Sequence, residues 1–227
     1  MIIKKKIIVF VVNVDWFFVS HRLAIAIDAI KNGYEVHLIC KITSLREFIL
    51  NQGIIIHDWD IKRSSLNIFS TFFDTYKLWI LLKKIKPCLI HAITLKPIIF
   101  SCLAIKLIDP TPVIFSISGL GYIFSSKSIK AFLSKFLVKF SFKFIFKNNK
   151  QHFIFQNKED KEKLLSIIKL SHVCNTIIPG SGVDLNYFKP NKLIINSFKK
   201  HKVLFGARLL KSKGILEFIE VSKKLKN

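Results

Sequence analysis

The chain has 227 residues, 51% of them hydrophobic, and its 37 lysines and arginines against 14 acidic residues give a formal net charge of +23. This composition can fill the core of one or two domains and excludes an intrinsically disordered protein. The charge predicts attraction to anionic surfaces. No RNA-binding aromatic motif or recognition helix accompanies it, so we expect no nucleic-acid partner.

Strands and helices are predicted to alternate as far as Ile178, because β-branched and aromatic runs alternate with apolar residues at helical spacing. Strands are predicted at 7–12, 34–40, 54–57, 88–92, 113–117, 153–156 and 173–178, and helices at 23–31, 44–51, 67–86, 97–107, 127–147 and 158–168. This alternation predicts a doubly wound, Rossmann-like α/β fold with a parallel sheet.

The amino terminus superficially resembles a signal peptide, since three lysines precede an apolar run. The run is short and Asn13 and Asp15 interrupt it, so we expect a buried first strand instead. No uninterrupted apolar stretch of membrane-spanning length occurs in the sequence. The four cysteines form no C-x-x-C pair and lie in apolar runs, so we expect buried, reduced thiols and no metal site. They are Cys40, Cys88, Cys102 and Cys174.

The last residues predict the beginning of a second α/β domain, with a strand from Lys202, a basic loop and an amphipathic helix. We therefore predict an amino-terminal domain at 1–190, a linker at 191–201 and the first strand and helix of an incomplete domain at 202–227. One strand and one helix cannot bury a core. The sequence thus predicts a truncated or split chain that is inactive alone.

Ligands of such folds bind beyond the carboxyl ends of the strands. Polar residues and glycines follow almost every predicted strand, whereas the strands themselves are apolar. No G-x-G-x-x-G follows the first strand and no P-loop motif occurs, which argues against a nicotinamide-binding domain and a P-loop NTPase.

Several of these edge segments together resemble family 4 glycosyltransferases of the GT-B type. The first loop, Asn13-Val-Asp-Trp-Phe-Phe-Val-Ser-His-Arg-Leu-Ala, resembles the branch that builds bacterial surface polysaccharides on a polyprenyl lipid. Similar segments follow in the family's order at 91–97, 117–124, 155–160, 178–188 and 206–215. The resemblance covers essentially the whole chain.

The resemblance implies transfer of a sugar from a nucleotide sugar to a polyprenyl-linked saccharide, in lipopolysaccharide or other polysaccharide biosynthesis, without a metal or another cofactor. It places the acceptor in the first domain, and it places the donor diphosphate at Arg208 and Lys213 of the second. The family's donor-binding Glu-x7-Glu motif would lie beyond Asn227, and a separate chain is a possible partner that completes the donor domain. The alternative is a non-catalytic fragment that binds acceptor or membrane, or half of a split enzyme.

Two residues of the first loop are candidates for a general base, Asp15 and His21. For His21 and Arg22 the structural alternative is capping or packing at a helix start. His91 is a rival base, although a histidine in an apolar strand is more often a core residue. Many members of the family carry a histidine where this chain has Ser118.

The predicted acceptor-binding residues share a position at the carboxyl edge. Arg22 would bind the acceptor's pyrophosphate, and an anion near Lys96 would relieve the unfavourable placing of a lysine at a helix amino terminus. Gly119 and Gly121 would allow close approach of the backbone to a ligand, unless they serve a simple turn. The full set is Asn13, Arg22, Thr94, Lys96, Gly119 and Gly121.

The segment Lys127–Lys150 combines phenylalanines with lysines that recur every four residues from Lys135 to Lys147. This pattern favours a monotopic helix that lies on an anionic leaflet. The alternative is a core helix with a solvated lysine face. We expect a cytoplasmic protein that binds peripherally to the inner face of the plasma membrane.

Overall fold

The computed structural model describes residues 5–61, 68–106, 108, 110–120, 136, 138–142, 151–168, 173–190 and 203–225. The chain forms two compact units, Met1–Gly182 and Val183–Asn227. The boundaries predicted from the sequence, 1–190, 191–201 and 202–227, stay a prediction.

The first unit alternates strands and helices, as the sequence predicts. Its elements are β1 (Ile7–Val14), α1 (Asp15–His21), α2 (Leu23–Lys31), β2 (Glu35–Lys41), α3 (Arg46–Leu50), β3 (Ile55–Asp58), α4 (Ile68–Ile85), β4 (Leu89–Ile93), α5 (Leu95–Ile105), β5 (Val113–Ile117), β6 (Gln151–Phe155), α6 (Lys158–Ile168) and β7 (Asn175–Ile177). Residues 138–142 are also helical.

The described strands form one seven-stranded sheet in the order β3-β2-β1-β4-β5-β6-β7. Every neighbouring pair is parallel. The chain therefore winds outward from β1 to one edge, returns at β4, and winds to the other edge. This confirms the doubly wound Rossmann-like fold and places the switch in strand order between β1 and β4.

Strand β1 explains how the sheet is buried on both faces. Val9 and Val11 belong to one hydrophobic cluster, with Phe115 and Phe153. The alternate residues of β1, such as Phe10, belong to a second cluster. Successive side chains of a strand point to opposite faces, so a continuous apolar run fills both layers.

The structure corrects three expectations. Residues 15–21 form α1, which the sequence pattern did not predict. Cys40 and Cys102 are buried, but Cys88 and Cys174 are exposed. Cys88 precedes the first residue of β4, and Cys174 precedes β7, an edge strand without buried residues. Among residues 203–225 the expected strand is absent, because the described part of this unit contains no second strand for it to pair with.

The described part of the second unit consists instead of an irregular segment, a short 3-10 helix (Lys211–Lys213) and α7 (Ile215–Lys224). The rings of Phe205 and Phe218 lie 5.1 Å apart and join the irregular segment to α7. Among the described residues of both units, no helix reaches the length and apolar character that crossing a bilayer requires.

Candidate functional site

Two strands meet at the switch in strand order, and a polar residue lies at the carboxyl end of each. Asn13 is the next-to-last residue of β1, and Thr94 directly follows β4. The Asn13 Nδ2 donates to Thr94 Oγ1 at 2.6 Å, which joins the end of β1 to the start of α5. The Thr94 N–H donates to the Ser116 carbonyl of β5 at 3.1 Å. Thr94 has a φ of +69°, a costly conformation for a β-branched residue. The structure thus brings Asn13 and Thr94 together, as their positions at the carboxyl edge predict.

Asp15 is fully buried at the start of α1. Its carboxylate accepts hydrogen bonds from the Thr43 hydroxyl at 2.6 Å and from the Thr43, Ser44 and Leu45 N–H groups at 2.7–3.1 Å. Burial is the largest single influence and would raise the pKa of this carboxyl. The combined effect of the hydrogen bonds is larger still, and it lowers the pKa to about 2. Asp15 therefore holds the loop after β2 against β1, and this geometry argues against a proton-accepting role.

Arg22 stands between α1 and α2 and is only 7% exposed. Its Nη1 donates to the His21 carbonyl at 2.7 Å and to Ser181 Oγ at 2.9 Å. Its Nε is buried without a hydrogen-bond partner among the described residues. Burial lowers the pKa of Arg22, but an arginine keeps its charge in proteins. The structure thus holds a buried guanidinium whose donors are incompletely used.

His91 lies in β4 on the same side as Arg22. One of its ring nitrogens, Nε2, lies 2.7 Å from Ser116 Oγ, and both side chains are buried. Burial and, to a smaller extent, the charge of Arg22 lower the pKa of His91 to about 3. His91 is therefore neutral at physiological pH, and it lines the cleft as a polar residue. Its lowered pKa makes it a weak proton acceptor.

Arg22, His91 and Ser116 line a cleft of about 350 Å³ at the carboxyl edge of the sheet. The loops that follow β6 and β7 close it, through Gln156 and the segment 178–182. Gly180 and Gly182 have φ values of +71° and +73°, so glycine is required there to turn the loop over the cleft. None of the described residues that line the cleft is acidic. The arrangement suits an anionic ligand with an apolar part.

The other predicted residues are placed less centrally. His21 stacks on Phe17 with ring centroids 4.3 Å apart, and its Nδ1 lies 2.6 Å from Ser20 Oγ. Lys96 is half-buried; burial lowers its pKa, whereas the carboxylate of Asp74 raises it. The structure therefore supplies a carboxylate near Lys96 where the sequence led us to expect a bound anion.

Gly119 is exposed at a φ of +101°, and a Cβ there would meet nothing within 4 Å, so its conformation rather than a close contact requires glycine. Gly121 lies outside the described residues. Arg208 and Lys213 belong to the second unit, where both are exposed at the loop before α7. Gly214 directly precedes α7 and has a φ of +79°.

Sequence reasoning missed Ser116, Ser181 and Gln156 as parts of the site. Ser116 is a polar residue within an otherwise apolar strand, and Ser181 lies between two glycines. Both features of the sequence could have indicated a ligand-binding position. Among the described residues, no cluster of His, Cys, Asp or Glu side chains is suited to hold a metal ion.

Residues 7–157 match the family model described as glycosyl transferase 4-like. The chain belongs to this family. It is 28% identical over 204 residues to the N,N'-diacetylbacillosaminyl-diphospho-undecaprenol alpha-1,3-N-acetylgalactosaminyltransferase of Campylobacter jejuni, which covers 85% of this chain and 54% of the relative.

Solved structures agree with this assignment at the level of the fold. A glycosyltransferase from Rickettsia africae superposes with a TM-score of 0.55 at 17% identity, over 82% of this chain and 45% of that one. Sucrose-phosphate synthase from Thermosynechococcus elongatus gives 0.54 at 13% identity, over 82% and 51%. The chain spans about half the length of these proteins. Its sheet is the Rossmann-like sheet of a GT-B amino-terminal domain.

Proposed function

We propose that this glycosyl transferase 4-like chain takes part in sugar transfer from a nucleotide sugar to a saccharide on a polyprenyl diphosphate, in surface polysaccharide or glycan biosynthesis. The Campylobacter relative supports this choice, since its name specifies an undecaprenol-diphosphate-linked acceptor. The first unit would bind the acceptor, and the nucleotide sugar would enter as a substrate, with no metal or other cofactor in the chemistry.

The observation that carries the acceptor assignment is the buried charge of Arg22. A buried cation is costly unless an anion or several acceptors compensate it. Among the described residues Arg22 has only the His21 carbonyl and Ser181 Oγ as acceptors, and its Nε has none. A diphosphate in the cleft would supply the missing negative charge and the acceptor for Nε.

The remaining cleft residues fit the other parts of such an acceptor. The hydroxyl groups of Ser116 and Ser181 and the amide of Gln156 offer hydrogen bonds to phosphate or sugar oxygens. Ile25, Ile154 and Ile178 give the cleft an apolar side, which suits the first isoprene units. Of the two candidate bases, His21 remains the better one, because the carboxylate of Asp15 is buried and already occupied by donors.

Arg208 and Lys213 are proposed to bind the donor diphosphate. A planar guanidinium and an ammonium suit a leaving group whose negative charge grows as the glycosidic bond breaks. Both side chains are exposed beside the turn that begins α7. A separate chain that completes a donor domain is a further possible partner.

We also propose peripheral binding to the inner leaflet through the segment Lys127–Lys150. In its described part, Val138, Ser141 and Phe142 are buried, and Phe142 packs on Phe115 and Phe153. Phe136 and Phe140 are exposed, and their rings stack 6.3 Å apart. This helix therefore serves the core on one side and still offers an aromatic pair to a membrane on the other.

The acceptor assignment is tested by replacing Arg22 with Gln. Binding of a short-chain polyprenyl-diphosphate saccharide, measured by calorimetry, should weaken about tenfold or more, as for a lost charge-assisted hydrogen bond. Arg46→Gln is the matched control, since Arg46 is an exposed arginine paired with Asp58 at 3.1 Å. Equal affinity of the Arg22→Gln and Arg46→Gln proteins would remove Arg22 from the acceptor site.

The donor assignment is tested in a preparation that transfers sugar, either this chain or this chain complemented by a donor-domain chain. Arg208→Ala should lower the transfer rate about 100-fold, which is typical for loss of a charge-stabilising donor. Arg208→Lys should also be slow, because a lysine lacks the bidentate fork. Lys223→Ala, an exposed substitution on α7, is the control. Near-normal transfer by Arg208→Ala would contradict the assignment.

A further inference from the structure

Helix α4 exposes a continuous stripe of large apolar side chains. Phe72 and Phe73 are 68% and 61% exposed, and Tyr76 and Ile80 are 49% and 43% exposed. Their spacing of three and four residues places them along one side of the helix. Trp79 is half-buried beside them, with its ring centroid 5.5 Å from that of Tyr76. We call these five residues the aromatic stripe.

The opposite side of α4 is fixed in the core, so the stripe cannot turn inward. Leu78, Leu82 and Ile85 are buried and belong to the same hydrophobic cluster as Val9 and Phe115. The indole of Trp59 is also buried, and its Nε1 donates to the Asp74 carbonyl of α4 at 3.1 Å. Because its opposite side is packed in the core, the helix holds the aromatic stripe toward the solvent.

Lysines accompany the stripe. The exposed carboxylates of Asp58 and Asp60 lie in the same pocket as Ile80, and they are paired with Arg46 and Lys41 respectively. Lys77, Lys83 and Lys84 are exposed, and Lys83 Nζ lies 5.1 Å from the centroid of the Trp79 ring. Asp74 is the one acidic residue in the sequence of α4, and it is half-buried near Lys77 and Lys96. The described outer face of α4 is thus apolar, aromatic and positively charged.

We infer that the aromatic stripe docks on an anionic lipid surface. Exposed aromatic and aliphatic side chains bordered by lysines are the features that bind a helix in the plane of a bilayer interface. Lysine stems can also reach from the apolar layer to the head groups. A second copy of this chain is a poorer occupant, because it would bring the same lysines and a net charge of +23 to the contact.

The position of α4 connects this surface to the candidate site. Helix α4 joins β3 to β4, two parallel strands of the same sheet, and such a connecting helix runs antiparallel to the strands. The amino end of α4 therefore lies at the carboxyl edge of the sheet. Phe72 and Phe73 are near that end, and α4 packs beside α5, whose first residues follow the switch in strand order. The surface deepens the proposed function by turning the acceptor edge toward the lipid, but its own test requires no sugar chemistry.

Vesicle co-sedimentation tests the inference with the intact chain. Phe72→Ser/Phe73→Ser should lower the partition coefficient on vesicles with about 30% phosphatidylglycerol by tenfold or more. The matched control is Phe48→Ser/Leu50→Ser on α3, which removes two apolar side chains of 46% and 43% exposure and should leave binding unchanged. Circular dichroism verifies that both variants are folded. Equal loss in both double variants, or no loss in either, overturns the inference.

The charge contribution needs its own pair of variants. Lys83→Gln/Lys84→Gln should weaken binding to the anionic vesicles by about fivefold per lysine at low salt. Lys5→Gln/Lys6→Gln removes the same charge from the amino-terminal end of β1 and should have a much smaller effect. An equal effect of the two pairs would mean that the net charge, and not this surface, attracts the membrane, and would overturn the inference.

Trp79 provides a direct readout of contact. In a Trp16→Phe background, Trp79 and the buried Trp59 are the tryptophans left, so a blue shift and protection from a water-soluble quencher on vesicles should come from Trp79. No spectral change on binding would overturn the inference, as would a dimer in solution that Phe72→Ser/Phe73→Ser dissociates without altering vesicle binding. Transfer to a water-soluble acceptor should survive these substitutions, so a failure here is separable from a failure of the proposed function.

Discussion

Two buried charges at the same edge of the sheet differ in how completely their hydrogen bonds are satisfied. Asp15 is fully buried, and its carboxylate oxygens are occupied by the Thr43 hydroxyl and backbone N–H groups. Arg22 is almost as buried, but its Nε has no partner among the described residues and none of the described residues of its cleft is acidic. A buried charge whose hydrogen bonds are complete stabilises the fold, whereas one that remains incomplete is available to a ligand.

The largest expected effect is the loss of Asp15. Asp15→Ala leaves the N–H groups of Thr43, Ser44 and Leu45 without their acceptor, so the free energy of unfolding should fall by about 3–5 kcal/mol. Chemical denaturation measures this loss. The exposed Asp28→Ala should change the same quantity by less than about 0.5 kcal/mol. A loss below about 1 kcal/mol for Asp15→Ala would show that this carboxylate does not hold the loop.

The pH dependence sharpens the same contrast. The pKa of Asp15 is lowered from 3.8 to about 2, so the folded state favours the ionised carboxylate. Its contribution of about 2 kcal/mol is complete above the unfolded pKa and is lost as the pH falls from about 4 to about 2. The difference in unfolding free energy between the wild type and Asp15→Asn should therefore shrink between pH 6 and pH 2.5. A difference that stays constant would contradict the assignment.

The smallest expected change in stability is at Arg22. Arg22→Gln removes a buried charge that has no anionic partner among the described residues, so the free energy of unfolding should change by less than about 1 kcal/mol. The same substitution should weaken acceptor binding, as stated above. Thermal and chemical denaturation of this variant beside Arg46→Gln measure the effect. A loss of about 3 kcal/mol or more would place Arg22 with Asp15, as part of the scaffold.

The sequence was sufficient for the layout of the fold. Purely apolar runs such as Ile7–Val12 predicted buried parallel strands, and the helix predicted at Leu23–Lys31 has the observed bounds. It was insufficient for α1, because Trp16, Phe17, Phe18 and Val19 are residues that also favour strands. It also misplaced Cys88 and Cys174, since an apolar neighbourhood in sequence does not define where burial ends.

The site was predicted by position and not by role. Asn13, Thr94 and Arg22 were proposed because the carboxyl edge of a parallel sheet collects ligand-binding residues, and the structure places all three at that edge. The difference between Asp15 and Arg22 was invisible, because it depends on donors of the loop after β2 and on Ser181, which lies far away in sequence. The stripe on α4 was overlooked for a related reason: its phenylalanines fit a core helix equally well until burial is known.

The two outermost strands of the sheet affect the tendency of the protein to aggregate at high concentration. In the described structure the outermost strands, β3 and β7, contain only four and three residues, whereas the central β1 contains eight. A short edge offers few unpaired backbone groups on which a foreign strand can extend the sheet. Asp58, at the end of β3, adds a charge that an approaching apolar strand would have to bury. The strongly apolar sheet interior is thereby kept from acting as a template for aggregation.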